Sequence, residues 1–375
     1  MPRLFLNLLL TTLFLALAPI RSFAAGYTLT ILDDPAAGNQ KDEGTIAIRI
    51  SGNFILGDYI DNQKSMHGFI YNMQTRRYTT FNGPQSRTYV YLVGVWSNAI
   101  IGYYFDNIDN PHSFIYDQKM RKYTFFDDLL RKYLPSTEPD VLLLENIEGS
   151  AITGISDNNV CGIYLVSSSE NGFVYDLQSH KFMLINNPSA APGTTDHYGV
   201  QGTHISAISE KVIVGRYTDS NFVIHGFIYD RMTHKFTTLD VPQSVTGKKW
   251  GGTYVVGMSG PTIFGWYSGD TFHGSRGFIY DRGDFTTLSY PQAMNTHVGG
   301  ISGNRVLGMY VDDNGAIHGF VYDAKSMKFT NLDDLLAENT KYQSDFIPEA
   351  ISGDTIVGRY IDNSGVFHGF IATPK

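Results

Sequence analysis

The fold is decided by the stretch His225-Gly226-Phe227-Ile228-Tyr229-Asp230, which is followed by Phe236-Thr237-Thr238-Leu239. The same two segments, preceded by an apolar run that ends in Gly-x-Tyr, recur through the chain. The Gly-x-Tyr triplets begin at seven glycines, which are Gly57, Gly102, Gly162, Gly215, Gly265, Gly308 and Gly358. Their spacing of roughly 43 to 60 residues is typical of four-stranded propeller blades. Helical repeats are excluded because they need a 3.6-residue apolar period, which this chain lacks.

Each copy indicates four strands, here named a to d, because β-branched and aromatic residues favour strands. Strand a ends in a small residue, an apolar residue and Ser; b is the Gly-x-Tyr stretch, c is Gly-Phe-Ile-Tyr, and d is Phe-Thr-Thr-Leu. The seventh copy stops after strand c at Thr373, whereas residues 27–35 resemble a strand d. We therefore predict an all-β fold, a seven-bladed β-propeller with four-stranded blades, closed by the N-terminal strand completing the last blade.

Residues 1–24 indicate a secretory signal peptide, because an apolar run from Leu4 to Ile20 is followed by the small-x-small sequence Ser22-Phe23-Ala24. The predicted domains are this signal peptide and a single propeller over residues 25–375. No other segment approaches the ~18–20 apolar residues that a membrane span requires. A secreted or periplasmic protein, monomeric and without a membrane span in the mature chain, is therefore expected.

Charge and cysteine content exclude several classes of partner. The formal net charge is −8 and no basic run occurs, so nucleic acid is not an expected partner. The single cysteine, Cys161, falls where other copies have Leu or Val, which predicts a buried core thiol.

A His–Asp pair lies on either side of the b–c hairpin loop in five of the seven copies, always six residues apart. The pairs are Asp61/His67, Asp106/His112, Asp219/His225, Asp312/His318 and Asp362/His368. Copy three has Val166 and Asn171 instead, and copy five has Gly269 and Arg276, so both members are absent together. Because this separation places the two side chains opposite each other, we predict a structural pair that pins the loop.

Metal binding and catalysis are the alternatives for these pairs. Zinc would need three or four converging ligands, and a five-fold repeat argues against one asymmetric catalytic site. No metal or other cofactor is expected, although calcium in the Asp/Asn/Gly loops stays open.

Function is expected on the face that carries the b–c and d–a loops, because the d–a loops are long and unlike one another. If the protein is an enzyme, the catalytic candidates are His197, Tyr198 and His204, since such groups serve acid–base chemistry. The ligand-binding candidates are Trp250, Lys249, Tyr290 and His297. The middle residue of Gly-x-Tyr also varies, with Arg216 and Arg359 among its forms, and packing between blades is the favoured interpretation there.

The pattern Val-Gly-Arg-Tyr-x-Asp-x-x-Gly-x-x-His-Gly-Phe, which begins at Val357, resembles the HAF repeat of extracellular bacterial proteins. The resemblance covers nearly the whole chain after the signal peptide, and copies three and five depart from it at the His and Asp positions. It implies export and a propeller-like array, and it implies no reaction. We therefore expect a secreted binding module for extracellular carbohydrate or protein. A polysaccharide lyase or hydrolase acting on the loop face and a structural cell-envelope component are the alternatives.

Overall fold

The computed structural model describes residues 26–84, 89–133, 147–167, 169–191, 201–244, 250–268, 274–335 and 344–375. The predicted signal peptide lies outside these residues. The described chain contains 28 strands, one α-helix, α1 (Phe126–Tyr133), and one 3-10 turn, Asp333–Leu335. The prediction of an all-β fold is therefore confirmed.

The strands form antiparallel four-stranded units, each ordered a, b, c, d along the sheet. The bounds of units one to three are β2 (Gly44–Ser51), β3 (Phe54–Ile60), β4 (Met66–Asn72) and β5 (Arg77–Phe81); β6 (Val90–Trp96), β7 (Ala99–Phe105), β8 (Pro111–Asp117) and β9 (Lys122–Phe125); and β10 (Ile147–Ser156), β11 (Asn159–Val166), β12 (Ser169–Asp176) and β13 (Lys181–Ile185).

Units four to six repeat this arrangement. Their bounds are β14 (Gln201–Ile208), β15 (Val212–Thr218), β16 (Ile224–Asp230) and β17 (Lys235–Leu239); β18 (Gly252–Ser259), β19 (Thr262–Ser268), β20 (Arg276–Asp281) and β21 (Asp284–Leu288); and β22 (Asn295–Ser302), β23 (Arg305–Val311), β24 (Ile317–Asp323) and β25 (Lys328–Asn331).

Unit seven is assembled from both ends of the chain. Its strands a to c are β26 (Ser344–Ser352), β27 (Thr355–Ile361) and β28 (Phe367–Pro374), and its strand d is β1 (Tyr27–Leu32). β1 runs antiparallel to β28, from Tyr27 opposite Pro374 to Leu32 opposite Gly369. The pairing predicted for the N-terminal strand is therefore present.

The first strands of the units are the inner ones. Each packs against the first strand of the next unit, from β2 through β6, β10, β14, β18 and β22 to β26, and β26 also contacts β2. Strand c of units three, four and seven makes a short parallel bridge to the following strand a, at Gly202, Gly252 and Gly44 respectively. A Cβ at Gly252 would lie 1.9 Å from the Ile224 carbonyl oxygen, so only glycine allows this approach.

The core lies between the units and explains the Gly-x-Tyr motif. The strand c phenylalanine of every unit is fully buried, namely Phe69, Phe114, Phe173, Phe227, Phe278, Phe320 and Phe370. A Cβ at Gly215 would lie 2.9 Å from the Phe227 ring and 2.1 Å from the His204 carbonyl oxygen. Cys161 is also fully buried, and burial raises its thiol pKa to about 12.

The helix α1 follows β9 and covers unit three with Phe126 and Leu130, which are both fully buried and one turn apart. Asp127 is the second residue of α1. Its carboxylate lies 2.5 Å from the Ser150 hydroxyl and 2.5 Å from His112 Nδ1.

Candidate binding site

Each of the five His–Asp pairs lies at the loop that joins strands b and c. The aspartate accepts two backbone N–H groups of its own loop through Oδ1; Asp219, for example, accepts from Asn221 and Val223, each at 2.9 Å. Its other oxygen faces the histidine Nε2. These Nε2–Oδ2 distances are 3.0 Å for His67–Asp61, 3.1 Å for His112–Asp106, 3.6 Å for His225–Asp219, 3.3 Å for His318–Asp312 and 3.5 Å for His368–Asp362.

Every one of these histidines has a second partner, which the sequence analysis missed, at its Nδ1 atom. The partner lies one or two residues after the end of strand d. The pairs are His67–Asn82 at 2.8 Å, His112–Asp127 at 2.5 Å, His225–Asp240 at 2.7 Å, His318–Asp333, and His368–Asp33 at 2.9 Å. Each imidazole therefore ties the b–c loop to the end of strand d, and in unit seven it ties together residues from the two ends of the chain.

The carboxylates raise the pKa of four of these imidazoles. For His112 and His225 the largest influence is the hydrogen bond from Asp127 or Asp240, and it outweighs burial. For His318 and His368 burial pulls the pKa down, and the paired carboxylates more than offset it. Each of the five rings also packs on the tyrosine of its own Gly-x-Tyr motif, at centroid distances of 4.8 to 5.3 Å. These contacts describe a scaffold clamp.

The loop candidates divide into three groups: residues outside the described ranges, aromatic residues that pack on other parts of the chain, and residues on inner strands. His197, Tyr198 and Lys249 lie outside the described residues. Tyr290 is partly buried and packs against the core, where its ring stacks on that of Tyr310 at a centroid distance of 3.7 Å.

Trp250 is half-buried with a φ of 66°, and its backbone N–H donates a hydrogen bond to the Phe222 carbonyl oxygen at 2.7 Å. His204 and His297 form the third group, and both lie on inner strands. Of the candidates in the described residues, these two share an inner-strand location, on β14 and β22 respectively.

His204 and His297 belong to a larger set of polar and aromatic side chains around the inner strands, which we call the inner cluster. It contains middle residues of Gly-x-Tyr, several of their partners across the a–b ladder, and three further charged residues. Its members are Arg49, Asp58, Tyr91, Tyr103, Glu170, His204, Arg216, Tyr254, Trp266, His297, Glu349 and Arg359. Most are half-buried, although the Gly and Tyr on either side of each middle residue are buried.

One half of the inner cluster lies on units three to six. His204 Nδ1 lies 3.1 Å from Glu170 Oε2. Burial alone would raise the pKa of Glu170, but the charges of His204 and Arg216 hold that pKa below its usual range. Trp266 is stacked between two rings, with Tyr254 at 3.7 Å and His297 at 4.6 Å.

The imidazole of His297 completes this half. Its Nε2 lies 2.7 Å from the Ser275 hydroxyl. Burial lowers the pKa of His297, so the ring is neutral at physiological pH.

The other half lies on units seven, one and two. Arg359 makes an ion pair of 2.5 Å with Glu349, the bulge residue of β26. Asp58 is 2% exposed, and burial raises its pKa well above the usual range even though Arg359 acts in the opposite direction. Arg216 and Arg359 thus act on nearby carboxyl groups, and their interpretation as packing residues between blades stays a prediction.

The inner cluster is suited to binding a polar ligand. Aromatic, carboxyl and guanidinium groups lie on or beside the inner strands, and most of them remain partly accessible. Polar groups of this kind can fix the orientation of a ligand. No group of three or more His, Cys, Asp or Glu side chains in the described ranges is arranged to hold a metal ion. A cleft of about 700 Å³ also opens at the a–b turns of units four and five, but it is lined mainly by apolar side chains such as Met258 and Ile263.

Comparison with known proteins gives no family. No family model matches the chain, and no curated protein sequence matches it either. Similar solved structures include TolB from Acinetobacter baumannii, with 11% identity and a TM-score of 0.40 over 93% of this chain and 80% of that one. The β-propeller domain of the Trilobed protease from Pyrococcus furiosus shares 8% identity, with a TM-score of 0.39 over 78% and 97%.

A puromycin-hydrolysing peptidase from Mycobacterium tuberculosis shares 10% identity, with a TM-score of 0.48 over 87% of this chain and 53% of the peptidase. This chain thus spans about half the length of that enzyme. At these values the similarities carry no argument about ligand or reaction. Within the described part of the chain, no helix has the length and apolar character needed to cross a membrane.

Proposed function

We propose that the chain is an exported, monomeric, seven-bladed β-propeller of the HAF-repeat type that binds an extracellular ligand through the inner cluster. Two observations support the closed ring: the inner strands contact one another in a cycle that returns from β26 to β2, and β1 supplies strand d of unit seven. Export rests on residues 1–24. Recovery of the protein from the periplasm or medium, with its N-terminus near residue 25, is the expected result of fractionation.

The observation that carries the binding function is the variation at one repeat position. Scaffold residues such as the Gly and Tyr of Gly-x-Tyr are constant, whereas the residue between them is Asp58, Tyr103, Ile163, Arg216, Trp266, Met309 or Arg359. Varied side chains on a constant scaffold are typical of ligand recognition. A carbohydrate is the favoured ligand, because planar aromatic side chains with ionic groups beside them suit a sugar ring and its hydroxyls.

Substitutions that copy the residue found at the same position of another unit test this proposal with little risk to the fold. Trp266→Met and Arg216→Ile introduce residues that units six and three carry at the same position. We expect either change to weaken retention on an extracellular-polysaccharide or peptide array by about 10-fold or more, since each removes a contact of roughly 1.5 kcal/mol. The exposed Met232, substituted by Ala, is the control. Unchanged retention by both folded variants would refute binding at the inner cluster.

A polysaccharide lyase or hydrolase is the second candidate, and the Glu170–His204 pair favours it because it joins an ionised carboxylate to an imidazole. Fragments of defined mass would appear when the protein is incubated with its ligand, and Glu170→Gln would abolish them while retention persisted. Retention without fragments in the wild-type protein would exclude this candidate for the ligands tested.

A further inference from the structure

Arg49 differs from the residues at the equivalent position of the six other inner strands. Each inner strand contains a bulge, and the residue after it pairs with the residue that precedes Gly-x-Tyr. Six units have glycine or alanine there, namely Gly94, Gly154, Ala207, Gly257, Gly300 and Ala350. Only unit one has a long side chain at this position. An arginine at a position that otherwise carries glycine or alanine therefore needs a reason beyond packing.

The surroundings of Arg49 place its head group among the inner strands. Its charge acts on Tyr103 of unit two and on Glu349 of unit seven. Arg49 also interacts electrostatically with Cys161 of unit three. The side chain is solvent-accessible, yet the surrounding protein lowers its pKa by removing it from bulk water. Both properties together fit a guanidinium that lies near the inner strands of neighbouring units and still reaches solvent. Within the described residues the Arg49 side chain makes no hydrogen bond and no ion pair.

A second guanidinium and an unsatisfied carboxyl lie in the same half of the inner cluster. Arg359 has one ion-pair partner, Glu349, and Arg49 acts on that same carboxylate. The Oδ1 atom of Asp58 is buried and has no hydrogen-bond partner, which is costly unless a ligand or water completes the site. The hydroxyls of Tyr91 and Tyr103, whose rings stack at 5.2 Å, are further donors near Asp58 and Arg49.

We propose that Arg49 and Arg359 together bind a carboxylate group of the ligand, with Asp58 as a hydrogen-bonding partner beside it. Two guanidinium groups share one nearby carboxyl partner, Glu349, so at least one positive charge is left for an incoming anion. The planar guanidinium matches a carboxylate through two parallel hydrogen bonds. This inference rests on the proposed binding function and names the chemical group that the ligand brings to one half of the inner cluster.

The protonation of Asp58 gives the site a direction of pH dependence. The charged and titratable groups that face Asp58 are Arg359, Tyr91 and Tyr103. Burial raises the pKa of this carboxyl, and in its neutral form the group donates a hydrogen bond and does not repel an anion. Binding of a carboxylate should therefore weaken as pH rises through the pKa of Asp58. Asp58→Asn, which stays neutral, should bind at all these pH values.

Galacturonate oligomers and their methyl esters are the matched probes, because esterification removes the charge and keeps the sugar ring. The test variant is Arg49→Ala, since units four and seven carry alanine at this position. Arg77→Ala removes an equal charge from an exposed outer strand and is the control. Calorimetry should show acid oligomers binding at least about 10-fold more tightly than esters, and Arg49→Ala should abolish that difference.

Competition by free acetate or citrate identifies the source of the carboxylate. Displacement of the oligomer only by uronate sugars assigns the group to an acidic sugar, and equal displacement by citrate assigns it to a simple carboxylate; both support the proposed chemistry. Equal binding of acid and ester by the wild type, or full affinity in a folded Arg49→Ala protein, would overturn it. If the protein then still binds neutral sugars, and Trp266→Met weakens that binding, the proposed function stands and only the carboxylate site is refuted.

Discussion

Replacing Asp240 by Asn tests the histidine clamp at its best-defined copy. His225 Nδ1 lies 2.7 Å from Asp240 Oδ2, and the two side chains are only 16% and 25% exposed. The other partner is Asp219, whose Oδ2 lies 3.6 Å from His225 Nε2, so this contact adds little to the stability of the clamp. A charge-assisted hydrogen bond contributes about 2 kcal/mol and a neutral one about 1 kcal/mol. Because Asn82 shows that an amide fits this position in unit one, the substitution should cost about 1 kcal/mol through the lost charge alone.

The loss should depend on pH in one direction. Asp240 raises the pKa of His225, so the imidazole is charged more readily in the folded protein than in the unfolded chain. Such a group stabilises the fold fully below its unfolded pKa of about 6.5, and this contribution disappears as pH rises through the folded value. The free energy of unfolding of the variant should therefore be lower than that of the wild type at pH 5.5 and nearly equal to it at pH 8.5. The pKa of His225 should be lower in the variant.

Urea unfolding at the two pH values measures the free energies, and proton NMR of the imidazole ring measures the pKa of His225. Asp284→Asn removes an equal charge from an exposed position and is the control. A double-mutant cycle with His225→Asn isolates the pair. If the Asp240 variant loses the same free energy at pH 8.5 as at pH 5.5, the clamp is not electrostatic and this reasoning is wrong.

Three further changes follow from the scaffold. Asn82→Asp should give His67 the carboxylate that the other four clamps have, and raise the free energy of unfolding by about 1 kcal/mol at pH 5.5 but not at pH 8.5 in the same urea assay. Cys161→Val should change stability by less than about 1.5 kcal/mol, and the native thiol should resist a disulfide reagent until urea unfolds the chain. Gly215→Ala should cost roughly 3 kcal/mol or more, because its Cβ would lie 2.1 Å from the His204 carbonyl oxygen; no loss of urea resistance would contradict this.

The repeated strands were predictable because their cause is local. Alternating β-branched and aromatic residues, with Gly where a fully buried Phe approaches, specify each unit within about 50 residues. The opposition of His225 and Asp219 was predictable for the same reason, since both flank one hairpin loop. Asp240 was missed because its distance from His225 is set by the whole of strand d, and nothing local marks Asp240 as a partner.

The inner cluster was largely hidden from sequence for a different reason. Arg49, Asp58 and Glu349 lie on different units, and only the packing of the inner strands brings them together. Loop variability pointed instead to His197, Tyr198 and Lys249, which lie outside the described residues. The signal that was available is the departure of Arg49 from the glycine or alanine of the six other units.

The sharing of unit seven between β1 and β28 sets the order in which the chain can finish folding. A ribosome makes residues 27–32 first, but their partner strand at residues 367–374 is made more than three hundred residues later. Bringing such distant segments together carries a loop-closure cost of about 5 kcal/mol. The earliest strand therefore waits with an unpaired edge while the chain grows, and unit seven is complete only after the last strand has been made.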